Sequence, residues 1–124
     1  MVNGVLAVLS NGNVDNEEFI VYTGNKDNEH KGKLRFFGGR LETNETYQKT
    51  LKRELDEEIN AIIENIVLLQ LKKGSGGVDK VYLCSGTITN ISETYDKEDK
   101  FGSRYWTKAT ELFKSNLFNN DFNE

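Results

Sequence analysis

The sequence predicts an α/β fold: a mixed β-sheet sandwiched between α-helices, formed by one domain over residues 1–124. Short apolar runs separated by turn residues lie on both sides of a single stretch whose apolar residues recur every four positions. Strands, helix, strands and helix follow one another with no low-complexity linker or internal repeat between them. At 124 residues the chain is long enough to bury a core.

Val5 to Leu9 and Phe19 to Tyr22 are apolar runs joined by the turn-rich NGNVDNEE, which predicts a hairpin. The polar, Gly-punctuated GNKDNEHKG is a loop, followed by a short strand KLRFF, Lys33 to Phe37, and then by Gly38 and Gly39. From about Glu45 the period changes. Tyr47, Leu51, Leu55 and Ile59 fall on one face of a helix of roughly four turns. Ile62 to Leu71 and Val81 to Ile88 are β-rich segments separated by the flexible KKGSGGVDK. Ser103 to Thr107 reads as a last strand and Ala109 to Phe118 as a terminal amphipathic helix.

Hydrophobic residues make up 36% of the chain, charged residues 29%, and the net charge is −4. That balance describes a soluble protein which could hold long nucleic acid only through a local basic patch. The opening MVNGVLAVLSNGN lacks a basic n-region, and its apolar run is too short for a signal peptide or a membrane span, so no membrane partner is expected. Cys84, the one cysteine, forms no internal disulfide, which suits a reducing cytoplasm.

Residues 53–60, RELDEEIN, crowd Glu54, Asp56, Glu57 and Glu58 into five positions, although like charges three and four apart on a helix repel. Glu54, Glu57 and Glu58 fall within an arc of roughly 100° beside the apolar stripe, so the helix presents three carboxylates to a common point. Hard oxygen ligands at that density suit Mg²⁺ or Mn²⁺, which would neutralise the repulsion. A solvated acidic face is the alternative, and it is the commoner origin of an acidic run standing alone.

This run does not stand alone. Glu45 follows Gly39 by six positions and Arg53 follows Glu45 by eight. The stretch GGRLETNETYQKTLKRELDEEINA thereby resembles the Nudix box, with Gly39, Glu45, Arg53, Glu54, Leu55, Glu57, Glu58 and Ala61 in register. A chance match to six fixed letters at this length is on the order of one in 10⁵. The flanking KLRFFGG and the later strand with Trp106 also sit where that family places them. Asn60 stands where the family usually has glycine, and as the next best residue for a left-handed helix end it preserves the turn.

The resemblance implies a loop-helix-loop catalytic motif within a Nudix fold, and it implies roles. Glu57 and Glu58 would be the principal ligands of Mg²⁺ (or Mn²⁺), Glu54 a further ligand or the base for the attacking water, and the Gly38 carbonyl a backbone ligand. Arg53 and Glu45 would orient the cluster. Relatives often add an acidic residue just before the last strand, and of Glu93, Asp96, Glu98 and Asp99 the best placed is Glu98. The chemistry implied is metal-assisted attack of water on a phosphoanhydride.

Length and layout suggest the small MutT-type branch, which acts on nucleoside triphosphates, so a small-molecule nucleotide is the expected partner. Arg35 and Arg40 are candidate phosphate contacts, Tyr22 could stack on a base, and Asn116 could read a base edge. Tyr22-Thr23 replaces the arginine that close MutT relatives carry there, which weakens the case for an oxidised-guanine substrate. Two other readings stay open: an RNA 5′-end pyrophosphohydrolase or decapping enzyme using the same box, and a nucleotide-binding sensor without turnover. Monomer and homodimer are equally compatible with the sequence.

Overall fold

The structure, a computed structural model, describes residues 2–22, 35–91 and 104–114. Six strands and two helices follow in the order β1 (Asn3–Ser10), β2 (Phe19–Tyr22), β3 (Phe37–Arg40), α1 (Tyr47–Ile59), β4 (Ile62–Lys73), β5 (Lys80–Asn90), β6 (Arg104–Thr107) and α2 (Ala109–Lys114). They form one mixed sheet in the order β4-β5-β1-β2-β6, with β3 also paired to β1. Among the described residues, no helix is long and apolar enough to cross a membrane.

Strand β1 is the axis of the sheet. One edge runs parallel to β5 from Asn3↔Lys80 to Ser10↔Thr87. Its other edge is shared: Gly4 to Ala7 pair antiparallel with β3, and Ser10 pairs with Phe19 of β2. The alternation of a strand then sends Val5, Ala7 and Leu9 to one face and Leu6 and Val8 to the other. The first face packs on Leu51, Leu55 and Ile59 of α1, together with Ile63, Cys84 and Ile88, in the main core cluster. Each such side chain, fully buried, contributes roughly 1.5–3 kcal/mol. On the opposite face a smaller cluster joins Val21 and Phe36 to Leu6, Val8 and Phe19.

The period-four reading of α1 holds with one modification. Leu51, Leu55 and Ile59 are buried, whereas Tyr47 is only partly so and stacks its ring on Tyr82 with 5.0 Å between centroids. Thr46 caps the N-terminus, its side chain accepting from the Lys49 N–H at 3.2 Å. At the other end Asn60 takes the left-handed conformation, φ 52° and ψ 48°, and the amides of Asn60 and Ala61 close onto the carbonyls of Asp56 and Leu55.

Of the strand expected at Lys33 to Phe37, Lys33 and Leu34 lie outside the described residues. Arg35 forms an isolated bridge to Tyr22, and the continuous strand is Phe37–Arg40, running on through the glycines. Glycine ordinarily reads as a strand breaker, but here it is what permits pairing. A Cβ on Gly38 would overlap the Val5 carbonyl, so only glycine lets β3 lie this close to β1. Strands β4 and β5 extend beyond their expected ends, and β4 carries register shifts between Ile62 and Ile63, between Glu64 and Val67 and between Leu68 and Gln70. The last residues of the helix expected at Ala109 to Phe118 lie outside the described residues.

The left-handed geometry of Asn60 makes its substitutions predictable. Asn60→Gly should be neutral or stabilising in urea melts, and Asn60→Val should cost about 1–2 kcal/mol because a β-branched side chain fits the left-handed region far worse than the short polar one of asparagine. A loss of several kcal/mol with glycine would reveal a side-chain contact that the backbone argument omits.

Candidate active site

Helix α1 lies across the sheet so that its polar edge faces the glycines of β3. Residues Thr50, Glu54 and Glu58 form one row at i, i+4 and i+8 beside the buried stripe, and Arg53 and Glu57 form the row next to it. Glu54 lies directly over Gly39: a Cβ on that glycine would come within 2.5 Å of Glu54 Cγ and 2.7 Å of its Cδ. The loop Leu41–Thr46 then turns back through Asn44, at φ 65°, and delivers Glu45 to the start of the helix.

Arg53 joins these pieces. Its Nε donates to Glu45 Oε2 at 2.8 Å and its Nη2 to Glu45 Oε1 at 2.9 Å, a two-pronged contact that matches guanidinium to carboxylate. The remaining prong, Nη1, donates to Glu54 Oε1 at 3.0 Å and stands 3.7 Å from Glu57 Oε2. Glu45 is 9% exposed and receives two further bonds on Oε1, from Thr50 Oγ1 at 2.7 Å and from the Glu42 N–H at 3.0 Å. The Arg53 fork, then Thr50 and Glu42, hold the Glu45 carboxyl well below the usual carboxylate range, and Glu45 in turn raises Arg53.

The three helix carboxylates do not converge as the helical wheel suggests. Among the described residues, no three Asp, Glu, His or Cys side chains are grouped closely enough to hold a metal ion. Glu54 is turned onto Arg53 and Gly39, Glu57 is 48% exposed, and Glu58 is buried at 9%. A wheel gives the direction of each Cβ, whereas carboxylates choose rotamers that approach a cation, and the cation at hand is Arg53. The donor chemistry nonetheless fits a divalent ion: three hard oxygen ligands on one helix edge, opposite a main chain laid bare by two successive glycines. A structural acidic face would be poorly placed. The last turn carries no basic residue, and Asp56, Glu57 and Glu58 sit at the end of the helix where the macrodipole disfavours negative charge.

The other sequence candidates are scattered. Arg40 is exposed at the end of β3, and Arg35 is partly buried beside Tyr22. Tyr22 is buried in the core with its ring 4.7 Å from that of Phe37, so it is a packing residue and offers no open face to a base. Glu98 and Asn116 lie outside the described residues. Sequence reasoning passed over Thr50, fully buried and bonded to Glu45, although its position four residues before Glu54 puts it in the carboxylate row. Glu42, whose amide supports Glu45 and whose carboxylate stands 3.9 Å from Arg53, carried no signal beyond its place in a turn.

Comparison with known proteins bears on this arrangement. The sequence model of the NUDIX domain matches residues 2–122. No curated protein is a significant match. Among solved structures, a MutT protein of Methanosarcina mazei superposes with a TM-score of 0.69 at 15% identity, covering 98% of this chain and 86% of that one. A MutT from work on Aliivibrio salmonicida and Vibrio cholerae gives 0.66 at 19% identity, with 90% and 83% covered. A Nudix hydrolase from Nitrosomonas europaea gives 0.68 at 17% identity, with 89% and 74% covered. Identities this low carry the fold and leave the substrate open.

The depressed Glu45 carboxyl fixes a pH dependence. Its folded pKa lies below the unfolded value of about 4.3, so the stability it confers is complete above about pH 5 and is lost as the pH falls toward the folded value. In thermal melts the gap between the parent and Glu45→Gln should be widest near neutrality and narrow by about pH 3. A gap that stays constant across that range would show that ionised Glu45 adds nothing to the fold.

Proposed function

The chain belongs to the Nudix family of hydrolases, and from that premise we propose that it is a MutT-type pyrophosphohydrolase of nucleoside triphosphates, working in the cytoplasm. The observation that carries this reading is the contact between Glu54 and Gly39, held by Arg53 and Glu45. Four residues at the spacing of the Nudix box thus meet in space, which a merely acidic helix face would not require.

The family acts with divalent cations, and the oxygens of Glu54, Glu57 and Glu58, the Gly38 carbonyl and Glu98 are the groups we assign to hold Mg²⁺ here. When bound, that ion screens the phosphate oxygens and lowers the pKa of the attacking water. Arg53 Nη1 occupies Oε1 of Glu54, so Oε2 is the oxygen left to bind the ion or to accept the proton of the water. Glu45 keeps Arg53 from swinging away, because its two oxygens take the other two prongs of the fork. Arg40, exposed at the end of β3, and Arg35, three residues before the glycine pair, are the cations we assign to the phosphate chain. Water would attack a phosphoanhydride bond, releasing pyrophosphate and a nucleoside monophosphate.

A panel of nucleoside triphosphates and of capped or triphosphorylated RNA, incubated with Mg²⁺ and resolved by anion exchange, tests the substrate. Turnover confined to RNA ends would replace the present reading, and binding without product would leave a sensor.

Two further outcomes follow from the assigned ligands. Hydrolysis should stop in excess chelator, and Mg²⁺ should raise the melting temperature of the parent by binding the folded state. Glu57→Gln should abolish turnover and the Mg²⁺ shift while changing metal-free stability by less than about 1 kcal/mol, since a half-exposed carboxylate 3.7 Å from Arg53 gains little from that pair. Parental turnover in Glu57→Gln would remove Glu57 from the metal site.

A further inference from the structure

Strand β4 is an edge of the sheet, paired among the described residues only with β5. Such an edge carries a row of backbone donors and acceptors able to pair with another chain, and edges are commonly guarded by lysine or proline. Here the middle is unguarded. From Ile66 to Leu71 the sequence IVLLQL holds neither a charge nor a proline. Its large side chains are open to solvent: Val67 is 54% exposed, Leu69 56% and Leu71 48%. Leu68 and Ile62 are also exposed, so five of the seven exposed large hydrophobics among the described residues lie on this one strand. That concentration is a patch, which scattered surface leucines would not be.

The charges on β4 indicate what covers it. Glu64 precedes the apolar run and Lys72 and Lys73 follow it. When two copies of such a strand align antiparallel about the Val67–Leu69 centre, the acidic end of each meets the basic end of the other while the apolar middles face one another. Parallel alignment would set like charges side by side. An antiparallel self-pairing is also the isologous contact that closes a dimer and leaves no β4 edge for a third chain. The three register shifts in β4 disturb its ladder locally but place no charge on its middle.

We propose that β4 is a homodimerisation edge, joining two copies of this chain into one continuous sheet through antiparallel β4–β4 pairing centred on Val67–Leu69. The interface is read from the strand alone and does not depend on the hydrolase reading.

Sedimentation velocity over a concentration series tests it, with amide hydrogen exchange to locate the contact. Dimer should grow with concentration, and amides of residues 66–71 should gain protection in step with it. Val67→Lys/Leu69→Lys should remain folded by circular dichroism, because both sites are exposed, and should lose at least tenfold in association. Glu64→Lys should weaken the dimer, and Glu64→Lys combined with Lys72→Glu should restore it. A protein that stays monomeric throughout the series overturns the proposal. So does a dimer indifferent to the Val67/Leu69 pair, or one that Lys72→Glu fails to rescue.

Discussion

Arg53 is the cation around which a loop, a helix and a strand are brought to a common place. Three of its nitrogens are each committed to a carboxylate oxygen, two on Glu45 and one on Glu54. A lysine could not reproduce this, since its ammonium is a point charge without a planar fork. With the loop end at Glu45 tied to the middle of α1, Glu54 has one direction left to it, down onto Gly39. The close passage of β3 along β1 is the other half of the same constraint, because Gly38 must lack a side chain for Gly39 to arrive under Glu54.

The charge distribution along α1 works against its stability. Carboxylates gather toward the C-terminal end, where the helix dipole opposes them, and no acidic residue occupies the first turn where it would help. Hydrophobic packing offsets that cost: Leu51, Leu55 and Ile59 are all buried against the sheet. Truncating any one of them to alanine would remove about 2–5 kcal/mol, more than the unfavourable charge placement costs at typical values. The helix can therefore carry an arrangement that local electrostatics disfavours.

Much of this was legible in the sequence because it depends on spacing. The period of four fixed α1 and its buried face, and the interval from Gly39 through Glu45 to Arg53 marked out the residues that the fold brings together. Asn60 was legible too, since few residues tolerate a left-handed helix end. What stayed hidden depends on side-chain choice and on distant neighbours. Spacing could not show that Glu54 and Glu57 lean toward Arg53, because rotamers respond to charge in three dimensions. Nor could it show that Tyr22 faces the core, since a four-residue strand such as FIVY has no polar face to break the symmetry of period two. Gly38 follows the strand expected at Lys33 to Phe37 and yet belongs to a ladder for a physical reason: only the nearness of Val5, which spacing cannot show, requires a residue without a side chain there.

The central position of β1 determines when any of this can exist. Its longest pairing is with β5, whose Lys80 stands opposite Asn3, so β1 waits for its longest partner until far later in the chain. Closing so wide a loop is slow compared with forming a helix or a hairpin. Helix α1 can form early from local interactions, with its carboxylates in place along one edge. Yet Glu54 gains its seat over Gly39 only when β3 has docked on β1, and β1 is held by β5. A chain that has not yet reached Lys80 therefore holds the whole Nudix box while β1 still lacks its longest partner, and the contact of Glu54 with Gly39 gains its full support only with β5 in place.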